Sequence, residues 1–563
     1  MKLVGVFLAA GMAVAQNGVR SASAIADGAT HADWPQHGGT DLSWRYSALD
    51  QINTSNVKRL APAWIFQTGD YEMGLQATPI EIEGVLYLST SRNNIYALDA
   101  VTGRLMWQYK YPQPRGAVPY GPQNRGVAVA GGRVFEGTYD NYVVALDQKT
   151  GLELWRVNVE DSKQCGCNIT AAPLVVKDSV IVGGTGGDSA HRGYLSAFDA
   201  ATGRLKWRFY TIPGPGEKGH DTWKGDSWKL GGGATWMTGS YDASLNLIYW
   251  GVGNAASDFY AADRTGDNLY TNSIVALDAD TGKLRWHFQE VPKDMWDFDS
   301  SYECVLIDRE VRGRMRKLLV HVNKGGFAFV LDRVNGEFIG AYPIIDNYNW
   351  ITGVTEDGKL VGRKEPVENK STYICPSAAG GKSWNQVAFS PRTGFLYTPS
   401  LEVCNDLAVS REEAKEGASF WGGNFLMKPP PDGPPRSHVD AYDAVTGKRQ
   451  WTFSYRYSLL ASMLATAGDL VFTGDPEGHF FALDARTGAK LWSFETGAGH
   501  RGSAIAYSVN GRQFIATPTG WGSLVSNALA PAWPEAETFR NGSTLMVFAL
   551  PEESIKPTRG DSK

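Results

Sequence analysis

The chain has 563 residues, 43% hydrophobic and 20% charged, a balance that excludes collagen, a long disordered tail and a multi-span membrane protein. Lys and Arg number 54 against 59 Asp and Glu, a net charge of −5 with no basic block, so nucleic acid is not an expected partner. The 64 glycines and 19 tryptophans call for many tight turns and repeated aromatic packing sites, as in repetitive β-structure.

The first segment, MKLVGVFLAAGMAVAQ, joins one Lys to an apolar run from Leu3 to Ala15, with small residues at Ala13 and Ala15. This pattern predicts a signal peptide over residues 1–26, with the cut between 15 and 31, and export to the periplasm as a soluble protein. No later run reaches ~20 apolar residues, so no membrane span is expected. Five cysteines in an exported chain allow two disulfides with one thiol left over.

A repeat then organises the chain: ALDAVTGRLMW ends at Trp107, ALDQKTGLELW at Trp155, AFDAATGRLKW at Trp207, ALDADTGKLRW at Trp286, AYDAVTGKRQW at Trp451 and ALDARTGAKLW at Trp492. VLDRVNGEFIG, around Asp332, is a copy without its tryptophan. In each unit an apolar strand ends at Ala-Leu, Asp opens a turn by accepting backbone amides, Thr-Gly closes it, and the next strand delivers Trp. Asp-to-Asp spacings of 48, 52, 79, 54, 111 and 41 residues match four-stranded propeller blades of about 40–50 residues with loop insertions. Trp64 adds a terminal blade end, and MVFAL near the C-terminus is placed to complete that blade. The 111-residue gap holds one blade, with FSPRTGFLYTPS as its inner hairpin, and a long loop carrying Pro429 to Pro435, read as a surface excursion. The predicted fold is all-β, an eight-bladed β-propeller with Trp-docking motifs over residues 34–550, followed by a polar tail at 551–563.

With the stretches DTWKGDSWKLGGGATW at 221–236, NLIYWGVGN at 246–254 and DMWDFDSSYE at 294–303, the chain resembles the quinoprotein alcohol dehydrogenases. These are eight-bladed propellers that hold pyrroloquinoline quinone (PQQ) on the pseudo-symmetry axis. The resemblance runs from about Trp34 to Ala549. PQQ is a planar o-quinone with three carboxylates, so its site needs aromatic faces, cationic and hydroxyl donors and a metal that polarises the reacting carbonyl. The resemblance implies that Trp236 stacks under the quinone, that Arg125, Thr170 and Thr185 hydrogen-bond it, and that Gly186 and Gly187 let the backbone approach. Gln76 and Trp384 join the cofactor set on the same ground. Lys324 stands where the family places a cation beside the quinone oxygens.

Asp188, Asn254 and Asp297 fall at the family's metal positions, all hard oxygen donors suited to Ca²⁺ or a trivalent lanthanide. Asp297 is also the implied general base, taking the alcohol's hydroxyl proton as hydride moves to the quinone. A second carboxylate two residues on, Asp299, resembles the signature of lanthanide-dependent members, since added negative charge favours a 3+ ion. The expected ion is therefore a lanthanide, with Ca²⁺ as the alternative.

The chain departs from the family pattern at two points. Asp188 replaces the usual Glu, and Pro119-Tyr120-Gly121-Pro122 stands where the family carries adjacent cysteines. Cys165-Gly166-Cys167 allows a disulfide, a metal site or two free thiols, while Cys375 and Cys404 resemble a structural disulfide of the family, leaving Cys304 buried and unpaired. After Asn254 the chain reads Ala255-Ala256-Ser257-Asp258, whereas small-alcohol members carry a bulky tryptophan near Asp258. The implied substrate is a primary or secondary alcohol bulkier than methanol. No CxxCH occurs, so the expected electron acceptor is an external cytochrome c. Two alternatives are a non-catalytic scaffold of the outer-membrane assembly type and a Ca²⁺-dependent PQQ enzyme for sugars or aldehydes.

Overall fold

The computed structural model describes residues 28–116 and 118–552. Residues 1–26, read above as a signal peptide, and most of the tail at 551–563 lie outside them. Among the described residues, seven four-stranded sheets and one five-stranded sheet dominate, and no helix is long and apolar enough to cross a membrane.

Five sheets follow the chain as simple antiparallel meanders, beginning with Ile80–Ile82, Ala128–Ala130, Leu174–Val176, Ser240–Asp242 and Cys304–Val311. The sixth joins Ala388–Ser390, Phe395–Glu402, Arg436–Asp443 and Arg449–Tyr455. The seventh begins at Leu464–Thr466 and gains the short parallel strand Tyr46–Ser47 at its edge. The eighth is assembled from both ends of the chain: Ala61–Gln67 pairs with Thr544–Ala549, with Trp64 opposite Val547. The C-terminal MVFAL stretch thus completes the sheet begun near the N-terminus.

The turn chemistry read from the repeat is present. Asp99 Oδ1 accepts from the amides of Val101 (3.1 Å) and Thr102 (2.9 Å) and from the Thr102 hydroxyl (2.8 Å), and Gly103 closes the turn at φ +72°. Each repeat tryptophan reaches the following sheet. Trp207 donates its indole N–H to Ala279 O at 3.2 Å, and a Cβ on Gly282 would lie 2.5 Å from its ring. Trp64, Trp107, Trp155, Trp286 and Trp451 make the same indole-to-carbonyl bond at 3.1–3.3 Å, and Trp492 donates to Leu60 O at 3.1 Å, just before the sheet that closes the series. In the copy without tryptophan the place is taken by Tyr342, whose hydroxyl donates to Ala444 O at 3.3 Å above Gly447.

The long excursion is partly ordered: Cys404–Val409 and Gly423–Lys428 pair with each other, and Ser371–Ile374 adds a third strand. The connecting loop returns to the centre, where the Phe420 amide donates to Asp188 O at 2.9 Å. A cavity of about 900 Å³ lies at the far ends of the inner strands, among Trp44, Val129, Thr238 and Tyr241, and holds none of the predicted site residues.

Candidate active site

The loops preceding and following the inner strands carry the predicted residues, and each is fixed by local bonding. Asp188 sits half-buried in the 184–193 loop. Asn254 follows Leu247–Val252 and is buried, with its carbonyl accepting from Gly233 N at 2.8 Å, so the Gly231–Gly233 run is stitched beneath it. A Cβ on Gly187 would stand 2.4 Å from Asn254 Oδ1, which is why this approach requires glycine. Asp297 and Asp299 share one loop. Its shape is set by Asp294, whose carboxylate accepts from Trp296 N (3.1 Å) and Phe298 N (2.9 Å).

Lys324 joins the two acids. Its Nζ donates to Asp297 Oδ2 at 2.7 Å and lies 3.4 Å from Asp299 Oδ2, with its amide bonded to Asp299 O at 3.0 Å. Asp299 Oδ1 in turn accepts from the Trp236 indole at 3.3 Å. Asn254 Nδ2 donates to Asp188 Oδ1 at 3.2 Å and to Asp258 Oδ1 at 2.8 Å. The two halves meet, because oxygens of Asp188, Asp258 and Asp297 lie within 4.8 Å of one another. Burial, then the neighbouring Asp299 charge, raises Asp188 to a pKa of about 6. Burial is also the main cause that pushes Asp258 and Asp297 well above the carboxylate range.

Beside this acidic cluster lies a cationic and aromatic one. The Arg125 guanidinium is 5.0 Å from the Trp236 ring and 4.6 Å from the Trp384 ring, and Arg501 lies 4.3 Å from Trp384 on a further approach. Both arginines are buried, and desolvation lowers Arg125 to about 9 and Arg501 well below its ordinary value. Tyr302 meets Trp236 edge to face at 5.7 Å. Thr170 donates to Trp236 O at 3.3 Å, and Gln76 lies buried at the side with its Nε2 bonded to Met73 O at 3.1 Å. Thr185 turns its hydroxyl to Asn168 Oδ1 at 2.8 Å, and Asn168 reaches Pro119 O at 2.7 Å.

Cys165 and Cys167 form a disulfide, as do Cys375 and Cys404, and Cys304 is buried and free. A Cβ on Gly186 would lie 3.2 Å from Cys167 Cβ, so the Cys165–Cys167 bridge flanks the glycine loop from a neighbouring connection. Tyr120, at the position of the missing cysteine pair, bonds the Ser189 hydroxyl at 3.0 Å.

The residues fit a bound PQQ and its metal. Among the buried atoms without partners are Arg125 Nε and Nη1, Arg501 Nη2 and Gln76 Oε1 on one side, and Asn254 Oδ1 and Asp297 Oδ1 on the other. Unpartnered N–H groups of buried arginines suit carboxylates, and unpartnered oxygens among buried acids suit a hard cation. Sequence reasoning missed Asp258 as a member of the acidic cluster, Asp294 and Arg264 as its supports, and Arg501. For Arg501 a signal existed: HRGSA at 500–504 mirrors NRGVA at 124–128, each just before an inner strand.

Residues 34–345 match the family described as glucose/ethanol/alcohol dehydrogenase, beta-propeller domain. Residues 435–525 match the outer membrane protein assembly factor BamB family, a segment that contains Arg501 but neither the acidic cluster nor Trp236. The chain is 37% identical to the quinoprotein alcohol dehydrogenase PedH of Pseudomonas putida, over 91% of each. It is 35% identical to the lanthanide-dependent methanol dehydrogenase of Methylorubrum extorquens, over 97% of this chain and 98% of that one. A solved europium-containing methanol dehydrogenase superposes with a TM-score of 0.87 at 34% identity, covering 92% of this chain and 98% of that one. Site chemistry and similarity along nearly the whole chain agree, and this protein belongs to the family of PQQ-dependent alcohol dehydrogenases.

Proposed function

We propose that this protein is a periplasmic quinoprotein dehydrogenase that oxidises a primary or secondary alcohol bulkier than methanol to the aldehyde or ketone. In this reading it is an eight-bladed propeller with tryptophan-docked blades, active after loss of its signal peptide, and it passes electrons to an external cytochrome c. The observation that carries it is the meeting of the Asp188–Asn254 pair with Asp297, which Lys324 joins to Asp299, beside Trp236 and two buried arginines with N–H groups to spare. Asp188, Asn254, Asp297 and Asp299 would hold the metal, Trp236 would underlie the quinone, and Arg125, Thr170, Thr185, Gln76 and Trp384 would fix it. When bound, PQQ supplies an electrophilic quinone carbonyl that accepts hydride, and the metal draws electron density from that carbonyl.

Asp297 removes the hydroxyl proton of the alcohol, and Lys324, 2.7 Å away, orients that carboxylate and stabilises negative charge beside it. The second acid of the Asp297-x-Asp299 pair supports a trivalent lanthanide over Ca²⁺. The absence of a bulky indole at Asp258 and of adjacent cysteines at 119–122 supports a wider alcohol pocket.

The test is turnover of protein freed of metal and then supplied with PQQ and either La³⁺ or Ca²⁺, with a dye acceptor and alcohols of graded size. La³⁺ is expected to give the faster enzyme, with larger alcohols preferred over methanol. Equal or better turnover with Ca²⁺ would overturn the lanthanide assignment, and a strong methanol preference would overturn the substrate class.

A further inference from the structure

Asp258 lies four residues beyond Asn254 and is 2% exposed. Its Oδ1 accepts a 2.8 Å bond from the same Asn254 nitrogen that reaches Asp188. The oxygens of Asp188, Asp258 and Asp297 that lie within 4.8 Å of one another are at separations a single hard cation can span, since two ligands across it stand at about twice a 2.3–2.6 Å bond. Asn254 itself is 1% exposed, with its carboxamide between Asp188 and Asp258 and its Oδ1 without a donor. Turning that amide over directs the oxygen between the two carboxylates.

The position of Asp258 is built into the fold. Arg264, fully buried, donates to Ser257 O from Nε (3.1 Å) and Nη2 (2.8 Å) and to Asp294 O from Nη2 (2.5 Å). One guanidinium therefore locks the loop of Asp258 to the loop of Asp297. The charges of Arg264 and Asp294 cancel. With all four ionised, as ligands of a cation must be, Asp188, Asp258, Asp297 and Asp299 stand against the single ammonium of Lys324, an excess of three negative charges that burial makes costly without a counter-ion. A divalent ion leaves one charge over, and a trivalent ion leaves none.

We infer that Asp258 is a direct carboxylate ligand of the metal and the residue that tips the site toward a trivalent ion. This rests on the metal-site reading above. It also gives Asp258 a role of its own, apart from the space left by the side chain it replaces.

The test reads metal uptake by the full chain supplied with PQQ and freed of metal by chelation. Asp258→Asn keeps an oxygen to accept from Asn254 and removes only the charge. Calorimetric titration is expected to show La³⁺ affinity at least about tenfold weaker than in the unsubstituted protein, with a smaller loss for Ca²⁺. Eu³⁺ luminescence lifetimes in H₂O and D₂O are expected to report about one more bound water. Unchanged La³⁺ affinity and water number in Asp258→Asn would overturn the inference while leaving the metal site standing. Uptake of neither ion by the unsubstituted protein would overturn the metal site and Asp258's role together. Should Asp258→Asn not fold, anomalous diffraction of the unsubstituted protein with La³⁺ decides: an Asp258 oxygen at about 2.6 Å from the ion supports ligation, and an intervening water contradicts it.

Discussion

Asp297 adopts a left-handed backbone, φ +63°, which costs an L-residue roughly 1–2 kcal/mol. The two amide bonds to Asp294 hold the loop there, so the carboxylate is presented to Lys324 already oriented. If it is the base, Asp297→Asn lowers kcat by about 10²–10⁴, whereas PQQ uptake, read by absorbance, persists because Trp236 and Arg125 are untouched. Near-normal turnover in that variant would remove Asp297 from the chemistry. Asp188, Asn254, Asp297, Asp299 and Lys324 were legible in the sequence because each lies in a short stretch with a recognisable resemblance. Arg264, Asp294 and Arg501 were not, because their work is done across the fold: Arg264 grips a carbonyl 30 residues away, and Arg501 donates to Leu460 O at 2.6 Å, 41 residues back. Asp258 was read only for the bulky side chain it replaces, since nothing local says that its carboxylate turns toward Asn254.

At the scale of the element, the repeating hairpin carries the structure. Its Asp, Thr and Gly act within five residues, which is why the turns and seven of the eight sheet-ending aromatics could be read directly. Tyr342, the eighth, lies two residues past the expected place, so only the contact with Gly447 identifies it. The strands at Cys404–Val409 and Gly423–Lys428 were hidden because one partner strand, Ser371–Ile374, lies 30 residues earlier, beyond any local pattern. The docking of tryptophan on glycine is open to a paired test. Gly313, at φ +76° with nothing near its Cβ direction, should tolerate alanine at about 1–2 kcal/mol, the backbone cost alone. Gly282→Ala, at φ +67° and facing the Trp207 ring at 2.5 Å, should cost a further 1–3 kcal/mol or so from overpacking. Urea unfolding midpoints read the difference, and equal losses would mean that the Trp207 contact contributes little.

At the scale of the molecule, the site belongs to no single sheet. Gln76, Arg125, Asp297, Trp384 and Arg501 lie on connections from one sheet to another, whereas Asp188 and Asn254 lie on loops within two separate sheets, and the cyclic run of contacts closes only when Thr544–Ala549 pairs with Ala61–Gln67. Cofactor uptake therefore reports the whole architecture at once. The most direct measurement is a spectroscopic titration of the metal-loaded protein with PQQ. Saturation at one PQQ per chain is expected, with a markedly weaker complex when Arg125 and Arg501 are both replaced by Ala. Failure of the folded protein to take up PQQ with either La³⁺ or Ca²⁺ present would contradict the cofactor site.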